Sequence, residues 1–572
     1  VLATVSSEDR GSTWSRRSRI LRAWRTASWA ERVVGVAFGL WALAPLAVLF
    51  VHTSGGLGLG SGGRFFTGVD RPDVPDQLQY LAWIRDSGEH LLLANQFDLR
   101  SDPHLFLHPV FALSGLAWRL GLSLQLSLLA WKPIWALALL LGFGAYVRRL
   151  VDAPLARAGA LALALFTLTP AVPLIDWLGL GGPALQFGTQ VVGFEMFAGN
   201  YLAGAAALSV AAMPVYLLGL ERLLDGPAAG SRRAGRGLER LLDGPAAGSR
   251  RAGRGTVAWT SLAGLTASWL HPWQGLTLLV LSAAIVVWGR HWARVRTLVV
   301  PVGATLAPIA YYFVLSRLPS SWHTVAHPNG FHHFGSWLWV ALAPVVLAAL
   351  PGLPGRGLDT QQRLLRLWPV CAAVVYLALQ TSWFFHAFVG LSLPLAILTV
   401  NGWRALGLGR RALGLGRRGA VALAAVAVLA LTVPGSLYYL QRTEEESALH
   451  FLAADEGRAL RYLATQPGPG GVLARGTLAT AVPAYSGRGT WAGHPTWTPE
   501  YPARSAQADA LFAGRLSPTR ARALVTATGA GFVLADCHAA PSLATQLGAA
   551  VSAPRRFGCA AVYRVLAPGP LP

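Results

Sequence analysis

The stretch "VDRPDVPDQLQYLAWI", residues 69–84, places Asp70, Asp73 and Asp76 three residues apart in a chain with only 26 acidic residues among 572. A carboxylate can take a hydroxyl proton or ligate a divalent ion, and Asp76 ahead of "QLQYLAWI" would stand in the first turn of a helix. The bland alternative is an N-cap or a solvated loop. Other candidate groups also sit between apolar runs: Asn95, Asp98, Asp176, Glu195, His271 in "SWLHPWQG", and His386 in "SWFFHAF". The segment "RLPSSWHTVAHPNGFHHFG" adds Arg317, His323, His327, His332 and His333. His323 and His327 are spaced for one helix face and a metal, but Pro328 and Gly330 break that helix, so a loop over the site is the plainer reading. No zinc-type cysteine spacing occurs, and no metal ligands are assigned.

The elements that must position these groups are membrane helices. The chain is 53% hydrophobic and 13% charged, with a mean hydropathy of +0.44, whereas a soluble domain carries roughly 25% charged residues. A net charge of +22 could suggest nucleic acid, but the arginines cluster between apolar runs ("RRSRILRAWR", "RHWARVR", "GRRALGLGRR"), as the positive-inside rule requires, so no nucleic-acid partner is expected. Lys132 is the only lysine. Apolar runs at 33–51, 127–147, 155–172, 198–218, 256–270, 275–288, 297–315, 336–350, 368–380, 388–400 and 419–433 suggest about eleven spans, the first of them uncleaved. The run "LFLHPVFALSGLAWRLGL", 105–122, carries His108, Pro109 and Arg119 and is laid in the outer interface, because a crossing there would turn the later arginine clusters outward.

The expected organisation is a basic cytoplasmic N-terminus over 1–32, a transmembrane region over 33–437 with a large outer loop at 52–124, and an extracytoplasmic α/β domain over 438–572. In that last region "GVLARG", "GFVLADC" and "AAVYRVL" read as short strands among helices. Cys537 and Cys559 both fall there, where an oxidising compartment would permit a disulfide, with two packed thiols as the alternative. Trp491, His494, Trp497 and Tyr501 in "GTWAGHPTWTPEY" could stack on sugar rings or simply pack the domain. Two exact repeats, "GLERLLDGPAAGSRRAGR" at Gly219 and Gly237 and "RALGLGR" at Arg404 and Arg411, read as duplications in tolerant loops and carry no function.

The layout "VPDQLQYLAWIRDSGEHLLLANQFD", then "HLFLHPVFALSG", "GFEMFAGNYLAGAAAL" and "SWLHPWQGLTLLVL", with the C-terminal "GTWAGHPTWTPEYPARSAQADALFAGRLSPTRARALVTATGAGFVLADC", resembles the GT-C class of integral-membrane glycosyltransferases, in an uncharacterised bacterial subfamily. That resemblance implies a multi-pass plasma-membrane α-helical protein that moves a sugar, with inversion, from a polyprenyl-phosphate lipid to an extracytoplasmic glycolipid, polysaccharide or protein. It implies Asp76 as general base or acceptor-orienting group. Many members carry an acidic pair there, whereas Gln77 follows Asp76 here, leaving Asp73 as the partner and a divalent cation (Mg or Mn) as an open question. Substrate-binding roles fall to Tyr80, Glu195, His271, Arg317, His386, Trp491 and His494, with Arg317, His271 and His386 facing the leaving phosphate. The rival readings are a transporter or flippase, which should carry ionisable residues at mid-bilayer, and a non-catalytic assembly protein.

Overall fold

The computed structural model of the chain describes residues 27–54, 63–226, 249–326, 335–468 (except 380, 382, 408–413 and 415) and 470–566. His327, His332 and His333, and much of both repeats, lie outside them. Contacts divide the chain into two compact units, Val1–Ala42 with Pro133–Tyr312 and Asn329–Tyr438, and Leu43–Lys132 with Phe313–Pro328 and Tyr439–Pro572.

Five helices among the described residues are long and apolar enough to cross a membrane: Leu124–Leu150, Ala206–Asp225, Pro272–Gly289, Trp292–Leu315 and Arg417–Glu445. Two bent pairs, Trp29–Trp41 with Ala44–Val51 and Pro154–Phe166 with Ala171–Trp177, bring the number to seven if each is one span. This corrects the expectation of about eleven. An apolar run is not by itself a span. Ser392–Leu406 has 15 residues, about 22 Å of helix against a hydrocarbon core of ~30 Å, and Ser392 to Val400 are all buried in protein. Its apolar character is that of a core helix. Ser249–Leu270 opens on Arg250, Arg251 and Arg254, Thr360–Ala378 carries Arg363 and Arg366, and Ser336–Ala349 has only 14 residues.

In the first unit, polar groups at helix ends are tied to one another. Arg149, ending one span, pairs with Glu221 and with Asp359 at 3.1 Å, while buried Glu31 faces Arg148 at 3.5 Å and Arg157 at 3.9 Å. The chain turns at His271, whose extended backbone (φ −159°, ψ 95°) is what the following Pro272 demands of its predecessor.

In the second unit, β1 (Arg64–Phe66) pairs antiparallel with β2 (Phe451–Ala453), stitching the start of the 63–132 segment to the chain that leaves the last span. Four more strands, β3 (Val472–Leu473), β4 (Phe532–Ala535), β5 (Arg555–Phe557) and β6 (Ala560–Arg564), form a sheet in the order β3-β4-β6-β5, with only β3 and β4 parallel. The expected α/β domain is corrected accordingly: its strands are two to five residues long and, among the described residues, its sheet is open. Leu511, Phe512, Val525, Val533 and Leu547 fill its core. Cys537 and Cys559 are joined in a disulfide.

The helix Val74–His90 is the element that carries the acidic stretch. Pro75 stands in its first turn, where a missing N–H is harmless. Against it lies Pro109–Arg119, the centre of the run placed at the interface, at a close crossing: a Cβ on Gly115 would meet Ser87 Oγ at 2.3 Å and the Gly88 amide nitrogen at 2.5 Å.

Candidate functional site

The three aspartates do different things. Asp70 is buried, and its carboxylate meets Lys132 Nζ at 2.5 Å, both side chains being shut away from water. Gln77 staples the turn: its Oε1 accepts the Asp70 N–H at 3.0 Å and its Nε2 donates to the Arg71 carbonyl at 3.0 Å. Gln77, at the position where an acidic partner for Asp76 would stand, is therefore a buried structural amide.

Asp73 occupies the N-cap position but makes no cap hydrogen bond from its side chain, and its backbone is left-handed at φ 73°. A non-glycine residue there is strained, and such strain clusters at functional sites. Its carboxyl stands beside that of Asp76 instead. Its backbone N–H points to Glu446 Oε2 at 3.4 Å.

Asp76 holds the pair together. His494, buried at 2% exposure, lies 3.1 Å from Asp76 Oδ1 through Nε2. His494 Nδ1 accepts the Thr496 N–H at 3.1 Å, which leaves its proton on Nε2 to be donated to the carboxylate. Thr498 fixes the histidine backbone by accepting the Gly493 and His494 N–H groups. On the other oxygen, Arg71 Nη2 stands 3.8 Å from Asp76 Oδ2. Asp76 keeps 39% of its side chain open to solvent, so the group is held yet reachable.

These surroundings separate the two carboxyls. The protein packed around Asp73 and the neighbouring Asp76 charge push its carboxyl upward, although the residue as a whole is exposed. For Asp76 the same loss of water works upward, but the His494 hydrogen bond, the Arg71 charge and the Asp73 hydrogen bond outweigh it and bring the group to about 2. The two carboxyls are thus pushed apart, Asp73 upward and Asp76 downward. Arg71 is held charged against its own burial by Tyr80, Asp73 and Asp76. Its Nε has no hydrogen-bond partner among the described residues, which leaves a nearly buried guanidinium with donor capacity to spare.

Tyr80 is one helical turn beyond Asp76, its ring 6.0 Å from the Arg71 guanidinium and 5.4 Å from Phe111. Trp491 is half-buried at the edge of the sheet core with Arg504 5.5 Å over it, and Trp497 is buried against Trp83 and Trp322. Arg317 is exposed and lies over Phe313, and His323 bonds the Ser316 carbonyl. In the first unit, three of the singled-out residues come together: His386 Nδ1 meets Glu195 Oε2 at 2.8 Å, the rings of His271 and His386 are 5.0 Å apart, and His271 bonds Gln274. Gln274 in turn donates to the His386 and Val389 carbonyls. Arg71 lies within the acidic stretch itself, and its place between two aspartates was the signal that could have singled it out. The pairing of Asp76 with His494, 418 positions away, has no local signal.

A divalent ion does not fit the acidic pair as it stands. Both Asp76 oxygens already face donors, one of them a cation, and the Asp73 carboxyl beside them is pushed toward its neutral form. Among the described residues, metal-ligand groupings elsewhere are Asp86 with His90 and His104, and Asp455 with Cys537 and Cys559, the latter two engaged in the disulfide.

No family model matches the chain, nor does any curated protein. Among solved structures it is similar to the oligosaccharyltransferase of Archaeoglobus fulgidus in its apo form, at 15% identity and a TM-score of 0.44, over 90% of this chain and 70% of that one. The Archaeoglobus fulgidus oligosaccharyltransferase AglB in complex with an inhibitory peptide and a dolichol-phosphate gives 16% identity and a TM-score of 0.41, over 89% and 70%. ArnT from Cupriavidus metallidurans bound to undecaprenyl phosphate gives 14% identity and a TM-score of 0.47, over 93% and 99%.

Proposed function

We propose that the protein is a multi-pass membrane glycosyltransferase that moves a sugar from a polyprenyl-phosphate lipid to a hydroxyl or amide acceptor outside the cytoplasm. The single observation that carries this reading is the carboxyl pair at the head of Val74–His90: Asp76 held between His494 and Arg71 yet open to solvent, with the Asp73 carboxyl, pushed upward, beside it.

Asp76 accepts the hydrogen bond of the incoming acceptor and so orients its nucleophile. As the new bond to the sugar carbon forms and the bond from that carbon to the phosphate oxygen breaks, the acceptor proton passes to the Asp76–Asp73 pair and then to solvent. A base at about 2 takes a proton only late in such a step, so orientation and charge are its larger contributions. The leaving phosphate gains negative charge, and Arg71, with its unused Nε–H, is the cation assigned to it. Tyr80 lies beside both as a substrate contact. Substrate-binding roles for Glu195, His271, Arg317, His386 and Trp491 belong to the same proposal, and the same assay tests them.

The test is transfer of radiolabelled sugar from a panel of polyprenyl-phosphate sugars in membranes containing wild type or Asp76→Asn. Label incorporated by wild type and reduced by ~10²-fold or more in the variant, within the range acid–base groups supply, is the expected result. No incorporation from any donor by folded, abundant protein, or full activity in the variant, overturns the reading.

A further inference from the structure

Two histidines close over the far end of the Asp76 helix and take no part in the chemistry above. Asp86 and His90 are four residues apart and share one face of Val74–His90. His104 reaches the same carboxylate from the loop beyond. Asp86 is fully buried; its Oδ1 lies 2.9 Å from His90 Nδ1 and 3.2 Å from His104 Nε2, and its Oδ2 accepts the Ala94 N–H at 2.9 Å. The rings of His90 and His104 are 4.2 Å apart, and the three ligand atoms lie within 4.8 Å of one another.

The backbone is bent to make this arrangement. Leu91 ends the helix at φ 66°, ψ −52°, with the Leu92 N–H bonded to the His90 carbonyl at 2.8 Å. That is a γ-turn in its rare, strained form, at a leucine that is itself exposed. Leu93 then bridges Phe106, which closes the loop and returns His104 to the helix end. Asp102 locks the loop by accepting the Asn95 N–H at 2.9 Å and the Ser321 N–H at 2.8 Å.

A buried carboxylate needs a counter-charge, and the ion-pair partners of Asp86 are these two histidines. Two imidazolium rings in contact would repel each other, whereas one cation among three ligands satisfies all of them. Around a tetrahedral zinc ion, ligand atoms at ~2.0–2.1 Å from the metal stand roughly 3.3 Å apart, close to the 2.9 and 3.2 Å seen here. Two imidazoles and a carboxylate are a zinc donor set, and the Ala94 N–H on the second oxygen is the outer support that ligand carboxylates receive. We propose that Asp86, His90 and His104 bind one zinc ion, with water as fourth ligand, at a site distinct from the Asp73–Asp76 pair and independent of the transferase reading.

The test uses the full chain, tag-free in detergent micelles, stripped with chelator and titrated with cobalt, then with zinc in competition. One equivalent per chain with the visible spectrum of tetrahedral cobalt, displaced by zinc, is expected. His90→Ala and His104→Ala should each weaken zinc binding by more than the ~10–100-fold that loss of a supporting hydrogen bond brings. His323→Ala, an exposed histidine elsewhere, should leave it unchanged. Absence of saturable one-equivalent binding in folded wild type, or unchanged binding in folded His90→Ala and His104→Ala, overturns the proposal. Should either alanine variant misfold, His104→Gln replaces it and the wild-type titration still decides.

Discussion

Two adjacent carboxyls act as an acid–base device only when they hold different numbers of protons, and the surroundings of Asp73 and Asp76 separate them. For Asp76, folding lowers the value from ~3.9 to about 2, so its contribution to stability is present above the unfolded value and is lost as pH falls through the folded one. The melting-temperature difference between wild type and Asp76→Asn should therefore be flat above about pH 5 and shrink between about pH 4 and about pH 2. A difference that stays constant down to about pH 2 would mean that Asp76 does not sit lower in the fold than in the unfolded chain. Asp73 has the opposite sign: its raised value favours the protonated form in the fold, and that contribution fades as pH rises through the raised value. Asp73→Asn keeps a hydrogen-bond donor toward Asp76, so it should retain most of the proposed transfer activity and lack the decline at high pH expected of wild type. Loss of activity in Asp73→Asn as complete as in Asp76→Asn would assign Asp73 a role in its ionised form.

The acidic stretch is held in place by elements as much as by its own residues, and the ion pair of Asp70 with Lys132 is the clearest case. Removing one partner of a buried pair strands the other charge, at about 3–5 kcal/mol, whereas replacing both with apolar groups is often neutral. Lys132→Met should lower the apparent melting temperature in micelles sharply, and Lys132→Met with Asp70→Leu should recover most of it; equal loss in both would mean that the pair contributes attraction rather than charge balance. At this scale the sequence was partly readable. Three carboxylates close together in a chain poor in acidic residues drew attention to 69–84, and Val74–His90 begins where Asp76 and "QLQYLAWI" placed a helix. The division of labour was not readable, because it depends on Lys132, His494 and Glu446, which only folding brings close. The overcounted spans have a different cause: Ser392–Leu406 is apolar because protein surrounds it, and composition alone does not tell burial in protein from burial in lipid.

For the whole molecule, the question that bears on function is which side of the membrane the carboxyl pair faces, and one helix is enough to argue it. Arg417–Glu445, 29 residues at a mean hydropathy of 2.2, begins on Arg417 and Arg418 and leads through Glu444, Glu445 and Glu446 into the C-terminal region. Arginine at the head of a span favours its cytoplasmic end, so the chain beyond Glu446 is expected outside. The Cys537–Cys559 disulfide within that region agrees, since such bonds persist in oxidising compartments. Asp76 is bonded to His494, a residue of the same region, so the side that holds the C-terminus holds the carboxyl pair. Alkaline phosphatase fused at the C-terminus should therefore be active and a fluorescent protein there dark, while fusions ending at Asp152, just past the arginines that close Leu124–Leu150, should behave in the opposite way. A maleimide reagent should reach Cys537 and Cys559 only after reduction. The reverse reporter pattern would place Asp76 on the cytoplasmic face, where soluble nucleotide sugars are at hand and a lipid-linked donor confers no advantage, and would remove the premise of an outward-facing transferase.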